Sequence, residues 1–229
     1  MKLLIPFIFV FANGVNAQNS LASWNGYFGN FSITDQLNFH NELQYRNNDF
    51  KGTFNQLLIR NGIGYNLTPD NNNLLLGYAF NLAQKRPSSN GKLNELLKKE
   101  HRIFQQFITK NTFERVFLLH RYRIEQRFFN SDFQLRFRYF MALYIPFNHK
   151  QITKNTWYLA AYNEIFINQK DEIFDQYRLS QALGYAITKN VKVELGVFTQ
   201  FHADDRNLAI QLSVFNNLAF KHHYTKKHD

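Results

Sequence analysis

Long segments in which apolar and polar residues alternate are the feature that most constrains the fold of this chain. In the segment 113–128, one set of alternate positions includes Val116 and Tyr122, and the intervening set includes Arg123 and Glu125. A period of two residues is typical of a β-strand with two different faces, because successive side chains point to opposite sides of the sheet. The pattern therefore predicts an all-β fold.

The same alternation recurs along almost the whole chain and predicts eleven strands. The predicted strands are 24–33, 37–47, 54–67, 74–83, 101–109, 113–128, 133–145, 157–167, 174–187, 191–202 and 208–218. Strands of globular proteins usually have about five or six residues. These are longer, and a tilted strand needs about 9 to 11 residues to cross a membrane. We therefore predict an antiparallel, up-and-down transmembrane β-barrel of 10 to 12 strands. The place of 24–33 stays open, because bacterial barrels of this type have an even number of strands.

The residue types on the two faces indicate which face contacts lipid. A water-soluble barrel turns its apolar face inward. Aromatic residues make up 17% of this chain, and a whole register of them is too bulky for the interior of about ten strands. The reverse arrangement places Phe, Tyr and Leu against lipid and the charged residues inside. The alternative is a soluble antiparallel barrel with ordinary hairpins.

A short repeat in the connections predicts the orientation of the barrel. Ile-Thr-Lys-Asn occurs at 108–111, 152–155 and 187–190, with related sequences at 33–35 and 67–70. These five segments mark alternate connections, so they are expected at one end of the barrel. The other connections are mostly longer, and they are 48–52, 84–100, 130–132, 168–173 and 203–206. Outer-membrane barrels have short periplasmic turns and longer outer loops, which predicts that the repeat faces the periplasm.

The N-terminal segment predicts export. Lys2 is followed by apolar residues and then by the small-residue sequence Val15-Asn16-Ala17, which is typical of a cleaved signal peptide. The alternative is a short membrane anchor, but the apolar stretch is shorter than the about 20 residues that a spanning helix needs. We expect a signal peptide over 1–17, a barrel over 18–220, a basic tail over 221–229, and a location in the outer membrane of a Gram-negative bacterium.

Charged residues on the polar faces of the predicted strands are the main candidate site. Nine cations and four carboxylates are expected to line the lumen: Glu42, Arg46, Arg60, Arg121, Arg123, Glu125, Arg127, Arg136, Arg138, Glu164, Arg178, Lys192 and Glu194. One interpretation is a salt-bridged, largely occluded lumen with a structural or interaction role. The other is a narrow passage or pocket that prefers small anions, because guanidinium groups bind carboxylate and phosphate well.

Enzymatic activity is not expected, although an outer-membrane lipid hydrolase or acyltransferase is a further alternative. The chain has no cysteine, which excludes thiol catalysis and cysteine-ligated metals. His120 lies on an apolar face, whereas His40 and Ser180 lie on polar faces, so no catalytic triad can be placed. We expect no catalytic residues and no cofactor. A metal could bind to the C-terminal residues His222, His223, His228 and Asp229. Their Lys-rich surroundings are more typical of a solvated basic tail.

The net charge of +10 raises the question of partners. The positive charge is spread over strand faces without a recognition motif, so nucleic acid is not an expected partner. Basic strand ends suit outer-membrane lipids with anionic headgroups. Small anions are further candidates.

Several short sequences together resemble an uncharacterised family, a domain of unknown function, of outer-membrane β-barrels that is common in Bacteroidota. They are Trp24-Asn25-Gly26-Tyr27, Glu42-Leu43-Gln44-Tyr45-Arg46, His120-Arg121-Tyr122-Arg123-Ile124-Glu125-Gln126-Arg127-Phe128, Arg136-Phe137-Arg138-Tyr139, Tyr162-Asn163-Glu164-Ile165-Phe166 and Asp175-Gln176-Tyr177-Arg178-Leu179. The resemblance covers nearly all of the chain after residue 17. It implies an outer-membrane location and a barrel shape, and it offers no activity and no catalytic residues.

Overall fold

The computed structural model shows a closed barrel of eleven β-strands and no helix within the residues that it describes. The described residues are 21–49, 51–69, 71–84, 97–130, 132–170, 173–203 and 206–218. Since none of these stretches is helical, they include no helix long and apolar enough to cross a membrane. The predicted signal peptide and basic tail lie outside the described residues. The prediction of an all-β barrel of 10 to 12 strands is confirmed, and the predicted antiparallel pairing holds for every pair of neighbouring strands except the closing pair.

The strands follow one another around the barrel in chain order. They are β1 (Ala22–Ser32), β2 (Leu37–Asn47), β3 (Phe54–Asn66), β4 (Asn72–Gln84), β5 (Leu97–Phe113), β6 (Val116–Phe128), β7 (Phe133–Pro146), β8 (Thr156–Asn168), β9 (Phe174–Ala186), β10 (Val191–Phe201) and β11 (Arg206–Asn216). Each pair of consecutive strands is antiparallel.

The pair of strands that closes the barrel explains the place of the predicted strand 24–33, which corresponds to β1. Because the number of strands is odd, the first and last strands run in the same direction. β1 therefore pairs with β11 in parallel, with Tyr27 opposite Val214. This pairing leaves no open sheet edge. It also places the start of β1 and the end of β11 at opposite ends of the barrel.

We call the two ends of the barrel the turn end and the loop end. The turn end carries the connections 33–36, 67–71, 114–115, 147–155 and 187–190. The loop end carries the connections 48–53, 85–96, 129–132, 169–173 and 202–205. The expected difference in length between the two ends holds only in part, because 147–155 at the turn end is longer than most connections at the loop end.

One copy of the repeat does not mark a connection, which corrects the sequence-based prediction. Residues 108–111 lie inside β5, and the hairpin turn falls at Glu114 and Arg115. The antiparallel pairing with β6 continues through Thr109 and Asn111. A two-residue turn is formed because Glu114 adopts the left-handed region, with φ of 54°. The other two copies lie in turn-end connections, as predicted.

The outer surface is apolar around nearly the whole barrel. Every strand from β2 to β11 presents at least two large apolar or aromatic side chains that are 38% or more exposed. They are Leu37, Leu43, Tyr45, Ile63, Tyr65, Leu74, Leu76, Tyr78, Leu97, Ile103, Phe113, Tyr122, Ile124, Phe128, Phe133, Phe137, Trp157, Ile167, Phe174, Leu183, Leu195, Val197, Leu208 and Leu212. Soluble monomers rarely expose contiguous apolar patches larger than a few hundred Å².

Several polar side chains on this outer surface are hydrogen-bonded in pairs across neighbouring strands. The pairs are Asn41 with Asn61 at 2.6 Å, Tyr78 with His101 at 2.5 Å, His120 with Tyr139 at 2.8 Å, and Asn163 with Tyr177 at 2.6 Å. An unpaired polar group costs several kcal/mol in a hydrocarbon environment. The pairing lowers the cost of placing these groups among apolar neighbours.

Inside the barrel, aromatic rings pack over glycines of a neighbouring strand. Phe104 lies opposite Gly77, and Tyr158 lies opposite Gly184. A Cβ atom at Gly77 would lie 2.4 Å from the Phe104 ring, and one at Gly184 would lie 2.2 Å from the Tyr158 ring. Both rings are fully buried. Glycine is therefore required at these two positions for the rings to lie flat against the wall of the lumen.

Candidate functional site

The structure places all thirteen charged residues of the candidate site on the lumen side of the wall. Alternate positions of β2, β3, β6, β7, β8, β9 and β10 contribute them. Glu100 and Arg102 on β5 lie on the same face, and sequence reasoning missed both. Glu100 was assigned to a loop, whereas Arg102 lay within a predicted strand, where its alternate position could have identified it.

Glu125 is the centre of a buried ion network. Its side chain is fully buried. Its carboxylate accepts hydrogen bonds from Arg136 Nε at 3.0 Å, Arg136 Nη2 at 2.6 Å and Arg138 Nη1 at 2.6 Å. Arg123 and Arg102 lie 3.6 Å and 3.9 Å from the same carboxylate. Four guanidinium groups thus surround one carboxylate.

Glu164 on β8 is a second centre of the network, joined to the first by a shared arginine. Arg138 donates from Nη2 to Glu164 at 2.6 Å, and Arg121 donates from Nη2 at 2.8 Å. Arg178 lies 3.7 Å from the other carboxylate oxygen. Because Arg138 also binds Glu125, the two carboxylates belong to one connected network.

The network extends in both directions around the barrel. On one side, Glu100 accepts hydrogen bonds from Arg102 at 2.7 Å and from Arg127 at 2.5 Å. On β2 and β3, Glu42 pairs with Arg60. Glu42 also lies within Coulombic range of Arg123, four strands away on β6. The charged groups therefore reach across the lumen as well as along its wall.

The network fills the lumen from its middle toward the loop end. Arg60, Arg123, Arg136 and Arg138 are each at most 5% exposed, and Glu125 is not exposed at all. The guanidinium of Arg138 lies 4.4 Å from the centroid of the Phe166 ring, so an aromatic ring takes the place that water would occupy. The side chains in this section of the lumen therefore cover most of one another's surface.

The lumen also contains a cavity of about 680 Å³, which opens at the turn end and reaches Trp24 and Arg46 toward the other end of β1 and β2. Its floor is formed by the ion network, and its mouth includes residues of the connections 147–155 and 187–190. Eleven of its lining residues are cationic: Arg46, Arg60, Lys110, Arg115, Arg121, Arg123, Arg138, Lys150, Arg178, Lys189 and Lys192. Two are carboxylates, Glu42 and Glu164, so the formal excess is eleven minus two, or nine positive charges.

Three residues of the predicted site, Arg46, Lys192 and Glu194, form no direct ion pair within the described residues. Arg46 stacks 3.5 Å from the centroid of the Trp24 ring, and Lys192 lies 5.5 Å from the centroid of the Tyr144 ring. Glu194 accepts hydrogen bonds from two tyrosine hydroxyls, that of Tyr158 at 2.9 Å and that of Tyr162. Arg46 also donates hydrogen bonds to the neutral side chains of Gln44 and Gln56, and Lys192 and Glu194 lie two residues apart on the same face of β10.

The candidate residues for serine hydrolysis lie on two different faces of the barrel. His120 lies on the outer surface, bonded to Tyr139. His40 and Ser180 line the cavity, and His40 Nε2 lies 3.6 Å from Glu42. In the part of the chain that the structure describes, no serine hydroxyl is hydrogen-bonded to a histidine ring. The absence of enzymatic activity stays a prediction.

No group of three or more His, Cys, Asp or Glu side chains could hold a metal ion within the described residues. The predicted solvated histidines of the C-terminal tail, His222, His223 and His228, lie outside those residues, as does Asp229.

Comparison with known proteins gives one match. The sequence profile of a family described as "Protein of unknown function (DUF2490)" matches residues 21–210. The matched segment spans the barrel from the residue before β1 into β11. No curated protein and no solved structure matches the chain.

Proposed function

Because the chain belongs to the DUF2490 family of proteins of unknown function, we propose a function from its geometry. The protein is an outer-membrane β-barrel with a structural or interaction role, and its own side chains occlude the lumen. The membership confirms the predicted resemblance to an uncharacterised family. The membrane location, the orientation and the role belong to this proposal.

The outer surface supports the membrane location. An apolar band continues over ten of the eleven strands, and the polar pairs on that surface satisfy each other's hydrogen bonds. In water, so large an apolar surface would drive aggregation, whereas in a bilayer it replaces contacts between lipid tails. We expect the protein to need detergent for extraction and to migrate differently in unboiled and boiled gel samples. Recovery as a soluble protein without detergent would contradict the proposal.

The buried ion network is the single observation that supports the proposal of an occluded lumen. Barrels of about eight strands are filled by side chains, whereas those of 16 to 18 strands leave an aqueous channel. This barrel has eleven strands, and the charged side chains at its middle are almost completely buried. We expect no steady conductance when the protein is inserted into planar bilayers. Large steady currents would show that the network does not close the lumen.

A narrow, anion-preferring channel is the second candidate. The formal excess of nine positive charges in the cavity lining favours it, because fixed cations raise the local concentration of anions. If brief openings occur, their reversal potential in a salt gradient should show selectivity for chloride over potassium. Cation-selective openings would rule out this candidate.

The proposed orientation places the turn end in the periplasm. In outer-membrane barrels the periplasmic connections are usually the shorter ones, and the longest connection here, 85–96, lies at the loop end. A tag inserted within 87–92, a segment outside the described residues, should be labelled on intact cells. A tag at Lys154 or Lys189, both at the turn end, should be labelled only after the outer membrane is permeabilised. The reverse pattern would invert the orientation.

A further inference from the structure

The cavity at the turn end has more positive charge than the protein itself neutralises. Glu42 and Glu164 are the only carboxylates among its lining residues, and both are already bonded to arginines of the network. Within the described residues, Arg46 and Lys192 have no carboxylate within ion-pair distance. Among those residues, Arg46 donates hydrogen bonds only to the neutral side chains of Gln44 and Gln56, and a buried cation without a counter-charge is costly.

Hydrogen-bond donors around the floor of the cavity are also left without partners. Within the described part of the chain, Arg46 Nε, Arg60 Nε and Arg178 Nε make no hydrogen bond, and Arg123 Nη1 makes none although it lies 3.6 Å from Glu125. Ser180 Oγ makes none there either. The Arg46, Arg60 and Arg123 side chains are at most 5% exposed and line the cavity. Buried polar groups are nearly always hydrogen-bonded, so these donors point to a ligand that supplies acceptors.

From this geometry we infer that the cavity binds a small organic molecule with two or more phosphate groups. Phosphate carries about 1.5 to 2 negative charges at neutral pH and three acceptor oxygens, so it compensates more charge per volume than a carboxylate. Cations lie both at the floor, such as Arg46, and near the mouth, such as Lys150 and Lys189. The cavity can therefore hold more than one anionic group at a time.

The other walls of the cavity explain why the ligand has an organic part. Aromatic side chains line it beside the cations, among them Phe28, Phe117, Phe140, Tyr144 and Phe215. Inorganic phosphate would leave these rings without a contact. The volume of about 680 Å³ lies within the range of about 300 to 1,000 Å³ that is usual for pockets of small molecules.

Calorimetric titration of the whole chain in detergent micelles tests the inference. The probes are adenosine diphosphate, pyrophosphate, citrate and uncharged adenosine. We expect adenosine diphosphate to bind most tightly, pyrophosphate and citrate more weakly, and adenosine not at all. Because the protein is solubilised, the result does not depend on whether the barrel spans a membrane or conducts ions.

Three variants locate the binding. Ser180→Leu fills the floor of the cavity without changing its charge, and Lys192→Gln removes a cation from its wall. Each is expected to weaken binding of adenosine diphosphate about tenfold or more, the usual cost of losing a charged hydrogen bond or a contact surface. Lys51→Gln is the matched control, because Lys51 is exposed at the opposite end of the barrel, and it should leave binding unchanged.

Several results would overturn the inference. One is the absence of calorimetric binding of adenosine diphosphate to the folded wild-type protein at millimolar concentration. Another is equal binding to wild type and Ser180→Leu, which would place the anion away from the floor of the cavity. Equal affinity for citrate would remove the preference for phosphate, and equal affinity for pyrophosphate would remove the organic part. If Ser180→Leu does not fold, the double variant Lys150→Gln/Lys189→Gln, which changes only exposed residues, is titrated with adenosine diphosphate in its place. Binding equal to that of wild type would then overturn the inference.

Discussion

Replacing Glu125 should destabilise the barrel more than any exposed charge change does. The Glu125 carboxylate is fully buried and lies within 4 Å of Arg102, Arg123, Arg136 and Arg138. Removing it leaves these four guanidinium groups without their common partner. Breaking a buried ion pair from one side costs about 3 to 5 kcal/mol. We therefore expect Glu125→Leu to lower the ratio of folded to unfolded protein by about 100-fold to about 4000-fold.

The double variant Glu125→Leu/Arg138→Leu separates charge imbalance from loss of packing. It removes one negative and one positive charge, and Glu164 keeps its hydrogen bond from Arg121 at 2.8 Å. Apolar residues of similar volume often replace a buried ion pair at little cost. We expect the double variant to be more stable than Glu125→Leu alone, with a coupling energy of about 1 to 3 kcal/mol.

Urea unfolding in detergent, followed by tryptophan fluorescence, gives these free energies. The chain has two tryptophans, and Trp157→Phe leaves Trp24, whose ring lies in the lumen next to Arg46. Asp132→Asn is the control, because Asp132 forms an exposed ion pair with Lys170 at 2.6 Å, and it should change stability little. If Glu125→Leu unfolds at the same urea concentration as wild type, the network is solvated rather than buried.

Two further predictions test the closure and the packing of the barrel. Cysteines at Tyr27 and Val214, which lie opposite each other on β1 and β11, should form a disulfide that changes gel mobility, whereas cysteines at Tyr27 and Leu208, about 20 Å apart along the strand, should not. Gly184→Ala should push the Tyr158 ring from its place and lower the free energy of unfolding by about 1 to 3 kcal/mol, and unchanged urea unfolding would show that the ring can move freely.

The facing of the strands could be predicted from the sequence because it depends on local order alone. With a period of two residues, a single assignment fixes every side chain of a strand to the lumen or to the outer surface. Arg123 and Glu125 therefore share the lumen with Arg136 and Arg138, as the alternation predicted. These inward charges were identified without any knowledge of the neighbouring strands, although Glu100 and Arg102 were missed.

The partners of those charges could not be predicted, because they depend on the stagger between strands. Glu164 lies opposite Arg178 in the register of β8 and β9, yet its closest guanidinium is that of Arg138 on β7. Arg46 meets Trp24 across β1 and β2 instead of a carboxylate. Glu100 was assigned to a predicted loop because the predicted strand began at residue 101. In the structure, pairing with β4 extends β5 beyond that point, and Glu100 lies opposite Asn81.

The parallel closure was also beyond local reasoning, since strand order is a property of the whole chain. Alternation in 24–33 predicts a strand and its faces, but it carries no information about which strand lies beside it. Only the complete ring shows that β1 pairs with β11. An even number of strands would have needed a further strand, and the parallel pair removes that need.

If the cavity binds a phosphorylated ligand, the same ligand should stabilise the folded barrel. The excess of nine positive charges in the lining exists only when the strands bring these residues together, so the unfolded chain has no comparable site. A ligand that binds only the folded state at a hundred times its Kd adds about 2.7 kcal/mol to the free energy of unfolding. Adenosine diphosphate should therefore raise the temperature at which the unboiled gel band is lost, and adenosine should not. Ser180→Leu, with its cavity filled, should lose this gain while keeping its charge. If calorimetry detects binding but the transition temperature does not rise, the unfolded chain binds equally well and the folded lumen is not the site.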